Sequence, residues 1–269
     1  MSAMRTRRLV MAIDPRLASP SPLDEAARLA RGLEAELTAL LVEDSGASAV
    51  AGLSVGRFVG YTGMAMSAPD ASALRRAHRV HERRVRERLA AAGSRWSVSW
   101  SLESVTDFAP ADVAQRAGRG DLVVLASPGR GRPAGASALA LATSLAGPVL
   151  LINTAVRSDS GVLVVFTGRL AELDTAARFA RCLGAPLAVL AAGKAERARI
   201  ARAQRAVQWL AARGLAARVE MAGGATIESW LDAVTRTRPG LVVLRRDAAG
   251  LDGPAADALA ATASLLLAD

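Results

Sequence analysis

Among 269 residues the chain has one cysteine, Cys182, one lysine, Lys194, two histidines and only 3% aromatics. A lone thiol excludes an intramolecular disulfide framework and any multi-cysteine metal site, and it fits a reducing compartment, so the cytoplasm is the expected location. Mechanisms that need a catalytic lysine have only Lys194, in a segment that reads as exposed. His78 and His81 lie three apart on one helix with only Glu82 beside them as a further ligand, so no metal site is expected. Neither a G-x-S-x-G elbow nor a G-x-x-x-x-G-K-[ST] loop occurs. Nothing here supports an enzyme.

Long apolar runs are also scarce. The run behind Arg5, Arg7 and Arg8 stops at Asp14 and Pro15, short of the roughly 7 to 15 apolar residues of a signal peptide. Ala134 to Val156 is uncharged, but Gly147-Pro148 divides it into an alanine-rich helix and the strand Val149-Leu-Leu-Ile152, so no membrane span is expected. With 51% hydrophobic and 22% charged residues the composition is globular.

An internal repeat organises the chain. AARLARGLEAEL, from Ala26 to Leu37, matches AARFARCLGAPL, from Ala176 to Leu187, at eight of twelve positions with an offset of 150. Farther on, Leu89-Ala-Ala-Ala-Gly93 answers Leu210-Ala-Ala-Arg-Gly214 at an offset of 121, and Leu122-Val-Val-Leu125 answers Leu241-Val-Val-Leu244 at 119. One structural unit used twice accounts for this order, with residues 1–156 as the first domain and 157–269 as the second. The fall in offset places an insert at about residues 46–74, rich in Gly, Ala and Met, which leaves open a mobile loop, a lid or a contact for a protein partner.

Strand and helix patterns alternate within each unit. In the first, strands are expected at Leu9 to Asp14, Leu37 to Val42, Trp96 to Leu102, 122 to 126 and 149 to 152, with helices at Pro22 to Leu33, Leu74 to Ala92, Pro110 to Ala117 and near Ser137 to Leu145. Short, nearly all-apolar strands require a parallel sheet covered on both faces, so each half reads as a doubly wound α/β domain. Ligands in such sheets sit beyond the carboxyl ends of the strands, where Asp14, Ser127 to Gly131, Thr167-Gly168 and Arg245-Arg246 would point.

Leu9-Val-Met-Ala-Ile-Asp14, DEAARLARGLEAEL, TALLVED, DLVVLASPGRGR and GASALALATSLAGPVLLIN together resemble a universal stress protein domain, and the second half resembles another. The resemblance implies two Rossmann-like units fused in tandem and packed as a pseudo-dimer, with a stress-related regulatory role. Many members of that family bind ATP, through Gly, two residues, Gly, nine residues, Gly and then Ser or Thr after the fourth strand. Gly135, thirteen residues before Pro148, matches the last Gly; ten positions back lies Leu125, inside the strand, so the loop is too short. Ala136 stands where the hydroxyl is expected, with Ser137 next. Losing a hydroxyl bond to a charged phosphate costs about 1.5 to 3 kcal/mol, roughly ten- to a hundredfold in affinity. The amides of Gly129, Gly131 and Gly135, with Ser137 and the strand-tip acid Asp14, remain the expected site for a nucleotide or smaller anion. No cofactor is required on this reading, and ATP is a candidate ligand of the first half. The second-half loop, Arg245 to Gly253, departs further from the motif.

The formal charge of +9 is uneven. Residues 75 to 88 carry a net +5 and residues 194 to 205 a net +4, on the matching long helices of the two halves. Arg75, Arg76, Arg79, Arg83 and Arg86 form one stripe opposite Leu74, Val85 and Leu89. Such a stripe is a solvated face, or it meets nucleic acid, an acidic membrane surface or an acidic protein. Scarce aromatics and the lack of a helix-turn-helix or zinc-finger pattern argue against nucleic acid, and any such binding would be by phosphate contact that fades steeply with salt. The expected function is therefore a non-catalytic regulatory or interaction module, with nucleotide binding and an anionic-surface adaptor as alternatives, and with a homo-oligomer as a further expectation.

Overall fold

The computed structural model describes residues 6–13, 20–43, 57–59, 65–67, 71–106, 116–118, 120–127 and 136–268. In the first half these form β1 (Arg8–Ile13), α1 (Pro20–Leu33), β2 (Glu36–Glu43), β3 (Arg57–Val59), β4 (Ala65–Ser67), α2 (Ala71–Trp96), β5 (Trp100–Thr106), β6 (Leu122–Ser127), α3 (Ala136–Ser144) and β7 (Val149–Asn153). After a short 3-10 turn at Ser158–Ser160 come β8 (Val162–Phe166), α4 (Leu170–Leu183), β9 (Leu187–Ala191), α5 (Glu196–Ala211), β10 (Ala217–Met221), α6 (Ile227–Thr237), β11 (Leu241–Arg245), α7 (Pro254–Thr262) and β12 (Ser264–Ala268).

Ten strands make one sheet in the order β10-β9-β8-β11-β12-β7-β6-β1-β2-β5, parallel throughout except where β12 meets β7. Read inward from either edge the sequence of strands is the same, so each half contributes a five-stranded doubly wound sheet. Every residue of β7, β8 and β12 is buried, as interior strands covered on both faces must be. At the edge, β10 has no fully buried residue, and Met221 is exposed. The helices carry the complementary pattern: Leu23, Ala26, Ala27, Ala30 and Leu33 of α1, and Leu173, Ala176, Ala177, Ala180 and Leu183 of α4, are buried at helical spacing.

The two halves meet about an approximate dyad. Val123 pairs with Val149 in the first half as Val242 pairs with Leu265 in the second, which makes Leu150 the counterpart of Leu266. Across the seam Leu266 faces Leu150, while Leu265 faces Leu151 and Leu267 faces Val149. Equivalent residues thus meet each other, the signature of an isologous contact. Side chains tie the seam reciprocally. Arg246, just after β11, donates to the carbonyls of Ala142 at 2.6 Å and of Gly147 at the end of α3, and Asn153, ending β7, donates to Ala260 O of α7 at 2.9 Å. Each half therefore satisfies carbonyls at the C-terminus of the other's last helix, where orphan acceptors and the negative end of the helix dipole favour a donor.

Helices α2, α1, α4 and α5 share one core cluster on one face, and α3, α6 and α7 share another on the opposite face. On the first face α1 crosses α4 at Gly32 and Cys182, which occupy the same position of the repeat. A Cβ at Gly32 would overlap Cys182 Sγ and come within 3.1 Å of its Cα. Only one side chain fits on the dyad. Burial pushes the Cys182 thiol up to about 11, so it stays protonated and unreactive near neutral pH.

Two boundaries differ from expectation. Helix α2 starts at Ala71, within the span read as insert, and runs on through Trp96, which was expected to open a strand. Ser97, at φ 53, ends it, and Trp96 is anchored instead by its indole N–H to Asp24 Oδ1 at 3.0 Å. Within the insert, β3 and β4 pair antiparallel from Arg57 and Ser67 to Val59 and Ala65; its other residues before 71 lie outside the described residues, as do 110–115 of the expected helix at 110 to 117.

The crossing yields a first prediction. Gly32→Ala should lower stability by about 1 to 2 kcal/mol despite the better helix propensity of Ala, because the overlap is with backbone as well as side chain. Adding Cys182→Gly should restore the melting temperature, since the bulk has only moved across the dyad; a double variant no more stable than Gly32→Ala would contradict the packing.

Candidate functional site

In each half two adjacent parallel strands send the chain to opposite faces. β1 leads to α1 and β6 to α3; β8 leads to α4 and β11 to α7, with α1 and α4 on one face and α3 and α7 on the other. The crevice beyond the carboxyl ends of such a pair is where ligands bind in open α/β sheets. The expected first-half residues Asp14, Gly129, Gly131 and Gly135 lie outside the described residues, and Ser137 falls in the first turn of α3.

The second-half crevice is described throughout. Strand register makes Thr167 the counterpart of Asp14, because Leu9 pairs with Leu37 as Val162 pairs with Leu187. The acid missing at the strand tip comes from the first turn of α4. Glu172, 4% exposed, accepts the Thr167 N–H at 2.7 Å and also the Thr167 hydroxyl. Burial pushes the Glu172 carboxyl up, while the Thr167 hydroxyl and amide pull it partly back. Arg245 stands 3.9 Å from Glu172 through Nε, a charge contact and not a hydrogen bond, and it also pairs with Asp247. Arg246 does not point into the crevice as its position after β11 led one to expect; the open helix end across the seam takes it.

Helix α5 closes the other side. Arg202 donates to Ala192 O, Arg205 to Gly168 O at 3.2 Å and Arg199 to Gly193 O at 3.2 Å. Glycine is needed beneath them. Gly168 has φ 117, and a Cβ at Gly193 would lie 2.8 Å from Arg202 Nη1. Glu172 and Arg245 thus stand at the tips of β8 and β11, and Arg202 and Arg205 beside them, beyond β8 and β9. Sequence reading missed Glu172 and Arg202; the only available signal was their position, five residues after the strand-tip Thr167 and on the basic helix.

Elsewhere, a cleft of ≈ 340 Å³ at the junction of the halves is lined by residues that include Asp24, Arg28, Trp96, Asn153, Arg157 and Asp159. Arg157 pairs with Asp159, Arg28 with Glu25, and Trp96 with Asp24. Among the described residues no group of three His, Cys, Asp or Glu is placed to hold a metal ion, and no helix is long and apolar enough to cross a membrane.

This architecture recurs end to end in solved structures. A universal stress protein from Archaeoglobus fulgidus superposes with a TM-score of 0.68 at 11% identity, over 100% of this chain and 99% of that one. The fold is that of the universal stress proteins. A putative member from Pseudomonas aeruginosa gives a TM-score of 0.62 at 18% identity, over 99% of this chain and 95% of that one. The cytoplasmic domain of a prokaryotic cation chloride cotransporter gives 0.51 at 13% identity, over 97% and 95%. No protein-family model and no curated protein sequence matches the chain.

Glu172 gives a pH prediction. Its carboxyl holds a proton more tightly in the folded than in the unfolded chain, whose ordinary value is 4.5, so the contribution is full at low pH and is lost as pH rises through the folded value. Urea midpoints at about pH 4 and pH 7 should therefore show the wild type losing stability relative to Glu172→Gln as pH rises; a difference independent of pH would contradict the buried carboxyl.

Proposed function

We propose that the chain is two universal-stress-type units fused in tandem, residues 1–156 and 157–269, and that it acts as a non-catalytic, stress-related regulatory or interaction module in the cytoplasm. The observation that carries this reading is the second-half crevice, where Glu172 and Arg245 stand at the tips of β8 and β11 and Arg202 and Arg205 flank them beyond β8 and β9. Side chains of the protein's own standing there leave little room for nucleotide binding or catalysis. On this reading the second unit serves as a partner in folding and as a platform, and the 46–74 insert, which interrupts only the first unit, is the contact for a protein partner.

A second reading is favoured by one difference between the halves. The first has an acid, Asp14, at the strand tip where the second has Thr167, and at the positions of Arg202 and Arg205 it has His81 and Arg84. An adenine nucleotide, or a smaller anion suited to the short loop, would then be held by Asp14, the amides of Gly129, Gly131 and Gly135, and Ser137. Protein purified from its host and denatured decides between the two. The module reading expects no released nucleotide and no calorimetric heat up to about millimolar ATP, an affinity limit near 4 kcal/mol. Near-stoichiometric release, with binding weakened by Asp14→Ala, would establish the nucleotide reading instead.

A further inference from the structure

The two basic helices lie on the same face of the sheet, with α1 and α4 between them, and the seam dyad relates one to the other. Between Arg76 and Arg84 helix α2 has no buried residue, and Arg76, Arg79, Arg83 and Arg84 are exposed around Val80, itself 49% exposed. Arg79 and Arg84 make no ion pair among the described residues; Arg83 and Arg86 pair with Glu87 and Glu82 at solvent-exposed positions, where such pairs contribute little and a phosphate can displace them. On α5 and just before it, Arg197, Arg205 and Lys194 are exposed. The guanidinium of Arg205 uses one of its five donors on Gly168 O and keeps the others.

Separation decides what such a face fits. Seven strands lie between β5, against which α2 packs, and the β9 and β10 that α5 covers. At about 4.8 Å per strand, reduced by twist, the helices stand roughly 30 to 40 Å apart, which brackets the roughly 34 Å of one duplex turn. A bilayer is a poorer match, because Val85, Leu89 and Ala92 of α2 are turned into the core, and the exposed Val80 of α2 and Ile200 and Val207 of α5 are too few to make a continuous apolar face to insert. Scarce aromatics and absent base-reading motifs argue against base contacts, but phosphate contact needs neither.

We propose that α2 and α5 form a bipartite, sequence-independent binding face for the phosphate backbone of duplex nucleic acid, each helix engaging one side of about one turn. Arginine suits the task, since its planar fork matches phosphate oxygens. The inference does not depend on whether the first half holds a nucleotide, because the groups involved lie on the helical face.

The test is fluorescence anisotropy with a labelled duplex of about two turns and arbitrary sequence, in potassium chloride from about 50 to 200 mM. Neutralising four to six phosphates predicts a log-log slope of about −4 to −5. Arg79→Glu with Arg83→Glu, and separately Lys194→Glu with Arg197→Glu, should each weaken binding at least about tenfold at low salt. The corresponding Gln pairs, which add no opposing charge, should each reduce the slope by about 2 and keep the result interpretable if a Glu pair disturbs folding. A duplex of about 8 base pairs, too short to reach both helices, should bind weakly, and either pair of changes alone should weaken it far less than it weakens the long duplex. A flat salt dependence, or an effect of the α2 pair alone on the long duplex, would overturn the proposal. So would retention on phosphatidylserine vesicles without duplex binding, or poly-glutamate binding as tightly as the duplex, which would identify a membrane or an acidic protein instead.

Discussion

The antiparallel pairing of β7 with β12 is the contact on which the rest of the molecule depends. Without it two five-stranded sheets would each expose an apolar strand, polar only at Asn153 or Ser264, an edge that aggregates or pairs with another chain. With it, ten strands become one sheet, and the dyad at Leu150 and Leu266 dictates what else can happen nearby. Helices α1 and α4 are brought into contact, so the shared repeat position holds Cys182 on one side and Gly32 on the other. The last helix of each half ends against the other half, and Arg246 and Asn153 supply the donors that those ends lack.

Symmetry of the backbone then contrasts with asymmetry of chemistry. The two halves share one strand order around the switch point, and in the second Glu172 reaches Thr167 from the helix while Arg202 and Arg205 fold back over Gly168 and Gly193. A buried carboxylate with a raised proton affinity is tolerated there because the Thr167 amide and hydroxyl satisfy it. On the outer helices the duplication has a different consequence. Two basic surfaces, each modest alone, are held at a fixed distance by the strands between them, and a rigid spacing adds selectivity for an extended polyanion that net charge by itself does not supply.

Much of the fold was legible because the physical signals were redundant. Apolar runs, helix periodicity and the repeat between AARLARGLEAEL and AARFARCLGAPL all pointed to the same doubly wound unit, and agreement across levels is what makes a pattern readable. The seam was harder. β7 and β12 are apolar but for Asn153 and Ser264 at their ends, so no alternation reveals which residues face one another, and the register emerges only from the strand pairing. Trp96 read as a strand residue because aromatic and alternating neighbours favour strands; a tertiary hydrogen bond to Asp24 kept it in α2. The alignment had already set Gly32 opposite Cys182, yet equivalence in sequence becomes contact in space only when a dyad passes between the two. At the candidate site the strand-tip logic located Thr167 at the end of β8, and it missed Glu172 because the compensating acid arises one helical turn away on another element.

Native-state hydrogen exchange tests the central claim, that the seam is integral to one cooperative sheet, most directly. If it is, the amides that hydrogen-bond β7 to β12, around Leu150 and Leu266, should exchange only through global unfolding, with the same free energy and denaturant dependence as the central amides of β1 and β8. Seam amides that exchange at markedly lower free energy while β1 and β8 stay protected would contradict it, and would mean that the halves open from one another while each remains folded.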